Sequence, residues 1–231
     1  MSEPFDFDTN PNLSNDYERT PEMFIPGYHA SHAMAITLLG DAIGGRGRVL
    51  VLGAGGGIEL CALAQAFPEW KLVGVDPSIE MLNQARSKLR ARGFEDRVEL
   101  VHGYIPDSPN GPFDAATCFL TLHFIRDDGG RLDALSHIRR RLGPTAPFLM
   151  INGSVDKKAA TFARQLRWYG AFARRNGASE DRIATFTMGV REELHALSPS
   201  REESLLREAG FVDAELFYVG LMFRGWIATA G

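Results

Sequence analysis

The run Val49-Leu-Val-Leu-Gly-Ala-Gly-Gly-Gly-Ile-Glu59 sets glycines at 53, 55 and 57, with an extra one at 56, directly behind four apolar residues. A second apolar run, Leu72-Val-Gly-Val, ends in a lone carboxylate, Asp76. Glycine lets a turn take positive φ and lets a ligand approach the main chain with no Cβ in the way. A carboxylate at the end of the next strand can accept two charge-assisted hydrogen bonds from neighbouring hydroxyls. Together these residues describe a backbone-lined cleft for a nucleoside, its ribose on Asp76. The dinucleotide fingerprint fails, because the sixth position counted from Gly53 is Ile58 rather than glycine.

Such a cleft needs parallel strands, and the chain supplies them. Apolar runs place strands near 48–52, 71–76, 97–101, 113–120 and 146–151, separated for the most part by helical periodicity near 57–67, 78–92 and 129–142. Strand–helix alternation with short joints implies a mostly parallel sheet covered on both faces. The end of the chain departs from this. A helix near 201–209 stops at Gly210, and strands near 212–218 and 221–229 meet at Val219-Gly220, so they must be antiparallel. Residues 1–20 read as a polar surface arm, and Pro21 to Gly44 turns helical, with Pro26-Gly27 as punctuation. The expectation is one domain over residues 1–231, with 1–45 as arm and helical cover and 153–199 as a helical insertion. In that insertion Phe162, Leu166, Tyr169 and Ala173 share a face, and Arg164, Arg167, Arg174 and Arg175 lie on the others. It reads either as a plain cover or as a lid over the substrate.

At 231 residues and 45% hydrophobic content the chain can bury a full core. A net charge of -4 offers no general field for holding nucleic acid, although a local basic face stays open. Cys61 and Cys118 fall in predicted buried elements, as expected of a cytoplasmic thiol protein. The acidic start lacks a signal-peptide core, and no apolar run is long enough for a membrane span. His29 and His32 could share a helical face, but no acid or thiol stands beside them, so no metal site is expected.

The Gly53, Gly55, Gly57 spacing with Asp76 and the following Pro77-Ser-Ile-Glu-Met-Leu resembles the class I, S-adenosylmethionine-dependent methyltransferases. The resemblance implies an α/β Rossmann-like fold, a mostly parallel seven-stranded sheet with a C-terminal antiparallel hairpin, and S-adenosylmethionine as cofactor with S-adenosylhomocysteine as product. It sets Gly53, Ala54 and Gly55 against the methionine part of the cofactor and Pro77, Ser78 and Met81 around ribose and adenine, although Met81 reads equally as core. Past the third strand the family commonly carries Gly-Asp, the acid contacting the adenine amine. Here the stretch is Gly103-Tyr104-Ile105, so a tyrosine ring takes that place and Asp107 follows nearby. Val51 stands where many relatives carry an acid for the methionine amine, so another group must hold it. Phe119-Leu-Thr-Leu-His123-Phe should line the space between cofactor and substrate, with His123 either a base or a packing residue. No Asn/Asp-Pro-Pro-Tyr follows, which disfavours nucleobase amino-methylation.

Met23-Phe-Ile-Pro-Gly-Tyr28, Phe119 to Ile125 and Ala209-Gly-Phe211 also resemble the bacterial carboxy-S-adenosylmethionine synthase family, which serves tRNA wobble-uridine modification. That resemblance makes Tyr28 and Arg19 candidate cofactor contacts, with a core aromatic as the other reading of Tyr28. It aligns Leu205 with an arginine used there for the added carboxylate, which argues for a different substrate. The expectation is therefore methyl transfer to a small molecule. The alternatives are a carboxy-S-adenosylmethionine synthase-like or tRNA-modifying enzyme, and a non-catalytic adenosylmethionine-binding partner. A homodimer through the apolar helix around Trp168 is a further expectation.

Overall fold

The computed structural model describes residues 19–231, so all but the end of the expected N-terminal arm lies outside the described residues. Two helices open it, α1 (Arg19–Phe24) and α2 (Tyr28–Ile43), jointed at Gly27, whose φ of 68° is left-handed. Then come β1 (Arg46–Leu52), α3 (Ile58–Ala66), β2 (Glu69–Asp76), α4 (Ile79–Ala91), β3 (Val98–His102), β4 (Ala115–Phe119), α5 (Gly130–Arg141) and β5 (Pro147–Gly153). The insertion holds α6 (Phe162–Arg175) and α7 (Glu180–Glu192), and α8 (Pro199–Glu208) leads into β6 (Phe211–Gly220) and β7 (Phe223–Ala230).

The strands form one sheet in the order β3-β2-β1-β4-β5-β7-β6. β1 to β5 run parallel, and β7 is antiparallel to both β5 and β6. The chain leaves β1 for β2 and β3 on one side and returns to β4 on the other. A crevice must open where that order reverses, outside the carboxyl ends of β1 and β4. Alternation sorts the central strands onto two cores: Val49 and Val51 face one cluster with α2 and α3, and Leu50 and Leu52 face the other with α5 and α8. Among the described residues no helix is long and apolar enough to cross a membrane.

The architecture is the α/β Rossmann-like one expected, with two local corrections. The hairpin turns at Leu221-Met222 rather than Val219-Gly220, with Leu221 at φ 54°. Gly220 is instead the end of β6, and a Cβ there would sit 2.8 Å from the Pro26 carbonyl oxygen, so this glycine makes room for the α1–α2 joint. β4 is also shorter than 113–120, because Phe113 pairs singly with Leu142 and Leu120 leaves the strand at φ 56°.

In the insertion, Leu166, Tyr169 and Ala173 of α6 are buried, and Arg164, Arg167, Arg174 and Arg175 are exposed. α1 fits against it. The Phe24 ring lies 5.2 Å from that of Tyr169 and 4.6 Å from that of Phe186, and Arg182 donates to the Thr20 hydroxyl. The N-terminal helix and the insertion, 138 residues apart from Phe24 to Phe162, thus make a single cover over one face of the sheet.

Candidate cofactor site

β1 delivers the chain into a glycine loop that β2 holds by hydrogen bonds. The N–H groups of Gly53 and Ala54 both donate to the Val75 carbonyl, at 2.9 and 3.0 Å. Gly53, Gly55 and Gly57 take φ of 69°, 48° and 81°. A Cβ on Gly53 would run into the Thr121 side chain, and one on Gly57 would lie 2.9 Å from Ala85 Cα. Glycine is therefore needed twice, once for the exit of β4 and once for close packing of α4.

Asp76 organises the loop from the side. Its Oδ2 accepts from the Gly55 N–H at 2.8 Å and its Oδ1 from the Ser78 N–H at 2.9 Å. Each carboxylate oxygen has two lone pairs, so ribose hydroxyls can still be accepted by a group already fixed in place. Ser78 then caps α4 by accepting from the Met81 N–H at 3.1 Å. Met81 itself is 1% exposed, so of its two readings the core one fits. Pro77 stays at the lip, and its carbonyl meets the His102 ring at 2.9 Å.

At the exit of β3, Gly103 has φ 146°, and the Asp107 carboxyl fills the space a Cβ would need. Asp107 accepts from the Tyr104 N–H at 2.8 Å, so it serves the backbone here. That leaves the Tyr104 ring 69% exposed, with Ile105 half-buried beside it. This is a flat apolar surface on the Asp76 side of the crevice, suited to stacking on a purine.

At the exit of β4, Phe119 and Leu120 wall a small cavity with Tyr28 and His32 of α2 and Gly53, Ala54, Ile58 and Glu59 of the loop and α3. Its volume is about 20 Å³, enough for an ammonium-sized group. A nucleoside would have to lie along the open loop towards Asp76 and Tyr104. Tyr28 is buried, and the His32 ring stands edge-on to it at 4.6 Å and to Phe119 at 5.5 Å. Burial lowers the His32 pKa, and its Nδ1 meets the Tyr28 carbonyl at 2.9 Å, so this ring is neutral. His29 turns away to Glu22, at 2.8 Å, and no cluster of metal-binding side chains occurs among the described residues. Arg19 is exposed at the start of α1. A larger hollow, about 340 Å³, lies between α4 and β3, lined by Arg86, Leu89 and Val98, away from the crevice.

The base role open to His123 does not fit. The ring is buried, and its Nδ1 accepts from the Gly153 N–H at 3.0 Å, leaving only an N–H on the other nitrogen. Burial, aided by the Arg131 charge, pushes its pKa down to about 3. His123 is a packing residue that ties the exit of β4 to the end of β5. Leu205 needs a second correction. It is fully buried in the core under α8 on the opposite face of the sheet, so its lack of charge says nothing about a carboxylate in the crevice.

The spacing of the glycine run gives Glu59 no role. It lies on the first turn of α3, 8% exposed, and its Oε1 has no hydrogen-bond partner. Burial pushes its pKa up to about 7, and the neighbouring Thr117 hydroxyl offsets only part of this. That contact falls short of a formed bond, since Thr117 Oγ1 is itself without a partner. An acid inside the apolar run Ile58-Glu-Leu-Cys-Ala-Leu was the available signal. The ring that shares its cavity, His32, is kept neutral by burial and does not balance its charge.

A stability prediction follows. The folded-state pKa of Glu59 lies above its usual 4.5, so the folded protein holds this proton more tightly than the unfolded chain. The penalty is absent below pH 4.5, grows up to about pH 7 and is complete above it. Glu59→Gln should leave stability unchanged at pH 4.5 and raise it by at most ~3 kcal/mol at pH 8. Urea unfolding of the ligand-free protein at both pH values checks this.

The comparisons with known proteins agree with this geometry. Residues 50–148 match the model of a methyltransferase domain. The chain is 28% identical over 161 residues to the carboxy-S-adenosyl-L-methionine synthase of Wolinella succinogenes, covering 70% of this chain and 66% of that one. It is 24% identical over 228 residues to the synthase of the same name from Campylobacter hominis, covering 99% and 95%. A SAM-dependent methyltransferase from Aquifex aeolicus has a similar structure, with TM-score 0.65 and 17% identity over 96% of this chain and 99% of that one. Val51, Glu59 and the glycine loop all lie inside the matched residues 50–148. Residues 50–148 are therefore similar to a methyltransferase domain, the whole fold is that of S-adenosylmethionine-dependent methyltransferases, and S-adenosylmethionine is the cofactor these likenesses support.

Proposed function

We propose that the protein transfers the methyl group of S-adenosylmethionine to a small-molecule acceptor. The observation that carries this reading is the crevice at the ends of β1 and β4, where Asp76 locks the glycine loop beside a cavity walled by Phe119, Tyr28 and His32. The cofactor brings an already activated sulfonium methyl, so the chain must mainly align the acceptor in line with it and exclude water. Asp76 and the loop hold the nucleoside, and the aromatic wall keeps the methionine end dry. Gly153 occupies the His123 lone pair, so the acceptor must arrive ready to attack or lose its proton elsewhere. The net charge of -4 favours a small acceptor over a nucleic acid.

A second reading, formation of a carboxylated cofactor, is favoured by relatives of that name that align along nearly the whole chain. Burial of Leu205 behind the sheet removes the objection raised from its side chain. One experiment separates the two. The protein is incubated with S-adenosylmethionine and a panel of small acceptors or tRNA, and in parallel with prephenate, and the products are read by mass spectrometry. Acceptor-dependent adenosylhomocysteine from the small molecules is the expected result. Carboxylated adenosylmethionine from prephenate, or methylated tRNA, would replace this reading, and no calorimetric binding of adenosylmethionine would sink both enzyme readings.

A further inference from the structure

We propose that Glu59 is the binding site for the ligand's primary ammonium group, so that the site selects adenosyl compounds carrying a free amino-acid end. This rests on the reading above, which places the adenosyl ligand in the crevice, and it adds the group that holds the end remote from the ribose.

Three observations lead to it. The Glu59 carboxyl is buried and its Oε1 lacks a partner, a costly arrangement unless something arrives to satisfy it. Glu59 lines the small cavity beside Gly53 and Ala54, and the cavity has room for an ammonium group. Among the described residues nothing charged answers that carboxyl: α2 presents the neutral His32 ring and the Tyr28 ring, and β4 presents the Thr117 hydroxyl. The counter-ion must come from the ligand.

Strand geometry explains why the acid can sit on the helix here. Val51 and Thr117 are register partners in β1 and β4, so their side chains leave the same face of the sheet. Glu59 reaches Thr117 from α3, so its carboxyl ends over the strand position that Val51 leaves apolar. The remaining wall, Phe119, Leu120 and Ile58, is apolar and keeps water from competing for the carboxylate.

The test compares two ligands on two proteins by calorimetry at pH 7. Adenosylhomocysteine carries the ammonium, and 5′-methylthioadenosine keeps the nucleoside and thioether without it. Glu59→Gln should weaken adenosylhomocysteine by about ten- to a hundredfold, as for loss of a charged hydrogen bond, and leave methylthioadenosine unchanged. Titrations in buffers of different ionisation enthalpy should show wild type releasing about half a proton per adenosylhomocysteine bound at pH 7 and the variant releasing none. Equal effects on both ligands, or none on either, would overturn the assignment. Binding of methylthioadenosine by wild type, lost in Asp76→Ala, would then show that the adenosyl reading survives it. If wild type binds neither ligand, that reading fails and the Glu59 site with it.

Discussion

Asp76→Ala is expected to weaken adenosylhomocysteine binding by roughly 10- to 150-fold, about 1.5–3 kcal/mol for a lost charged hydrogen bond to ribose. It should also destabilise the free protein. The Gly55 and Ser78 N–H groups that now donate to its two oxygens would be left without this acceptor in a buried setting. Each such loss costs on the order of 1–3 kcal/mol. Asp76→Asn loses the charge the hydroxyls need but keeps one carbonyl oxygen for one of the two N–H groups, so it should cost less stability than Asp76→Ala. Urea unfolding measures the stability and calorimetric titration the affinity. A folded Asp76→Asn protein with unchanged affinity would refute the placement of the ribose.

Arg131→Met should unfold the protein more readily by about 3–5 kcal/mol, the usual cost of breaking a buried ion pair from one side. Arg131 is fully buried on α5, with Nη1 on Glu202 Oε1 at 2.9 Å. Its other nitrogens donate to the Ile125 carbonyl at 3.1 and 2.8 Å and to the His195 carbonyl at 2.6 Å. One side chain thus joins the exit of β4, the end of the insertion and α8. Removing it strands the Glu202 carboxyl, which burial already holds up at about 7. The double variant Arg131→Met/Glu202→Leu should recover much of the loss, because both buried charges go together. Thermal and urea unfolding of the two variants decide this, and equal stability of the single variant and wild type would refute the ion pair's role. The same clamp fixes the segment holding His123, whose carbonyl accepts from the His195 N–H at 2.9 Å, so the single variant should also loosen the wall of the crevice.

The parts of the fold that were legible in advance are those written in local periods. Leu72 to Asp76 alternates and ends in its acid, Ala30 to Ile43 repeats at helical spacing, and Phe211 to Ala230 folds back on itself. Each such pattern depends on neighbours a few residues away. The hairpin turn was misplaced by two residues for a tertiary reason. Gly220 is small for the sake of Pro26, which is remote in sequence, and a leucine carries the turn instead.

The candidate site divides in the same way. The glycine spacing and the lone acid by themselves determined that a glycine loop and a carboxylate meet at the ends of β1 and β2, because backbone freedom restricts which residues can stand there. Tertiary packing alone decided which polar groups face the crevice and in what state. It turned His123 to the Gly153 N–H, put Leu205 behind the sheet, and left the Glu59 carboxyl unpaired beside the loop. Side-chain protonation and hydrogen bonding are set by what folds against a residue from elsewhere in the chain, and linear spacing carries no record of that.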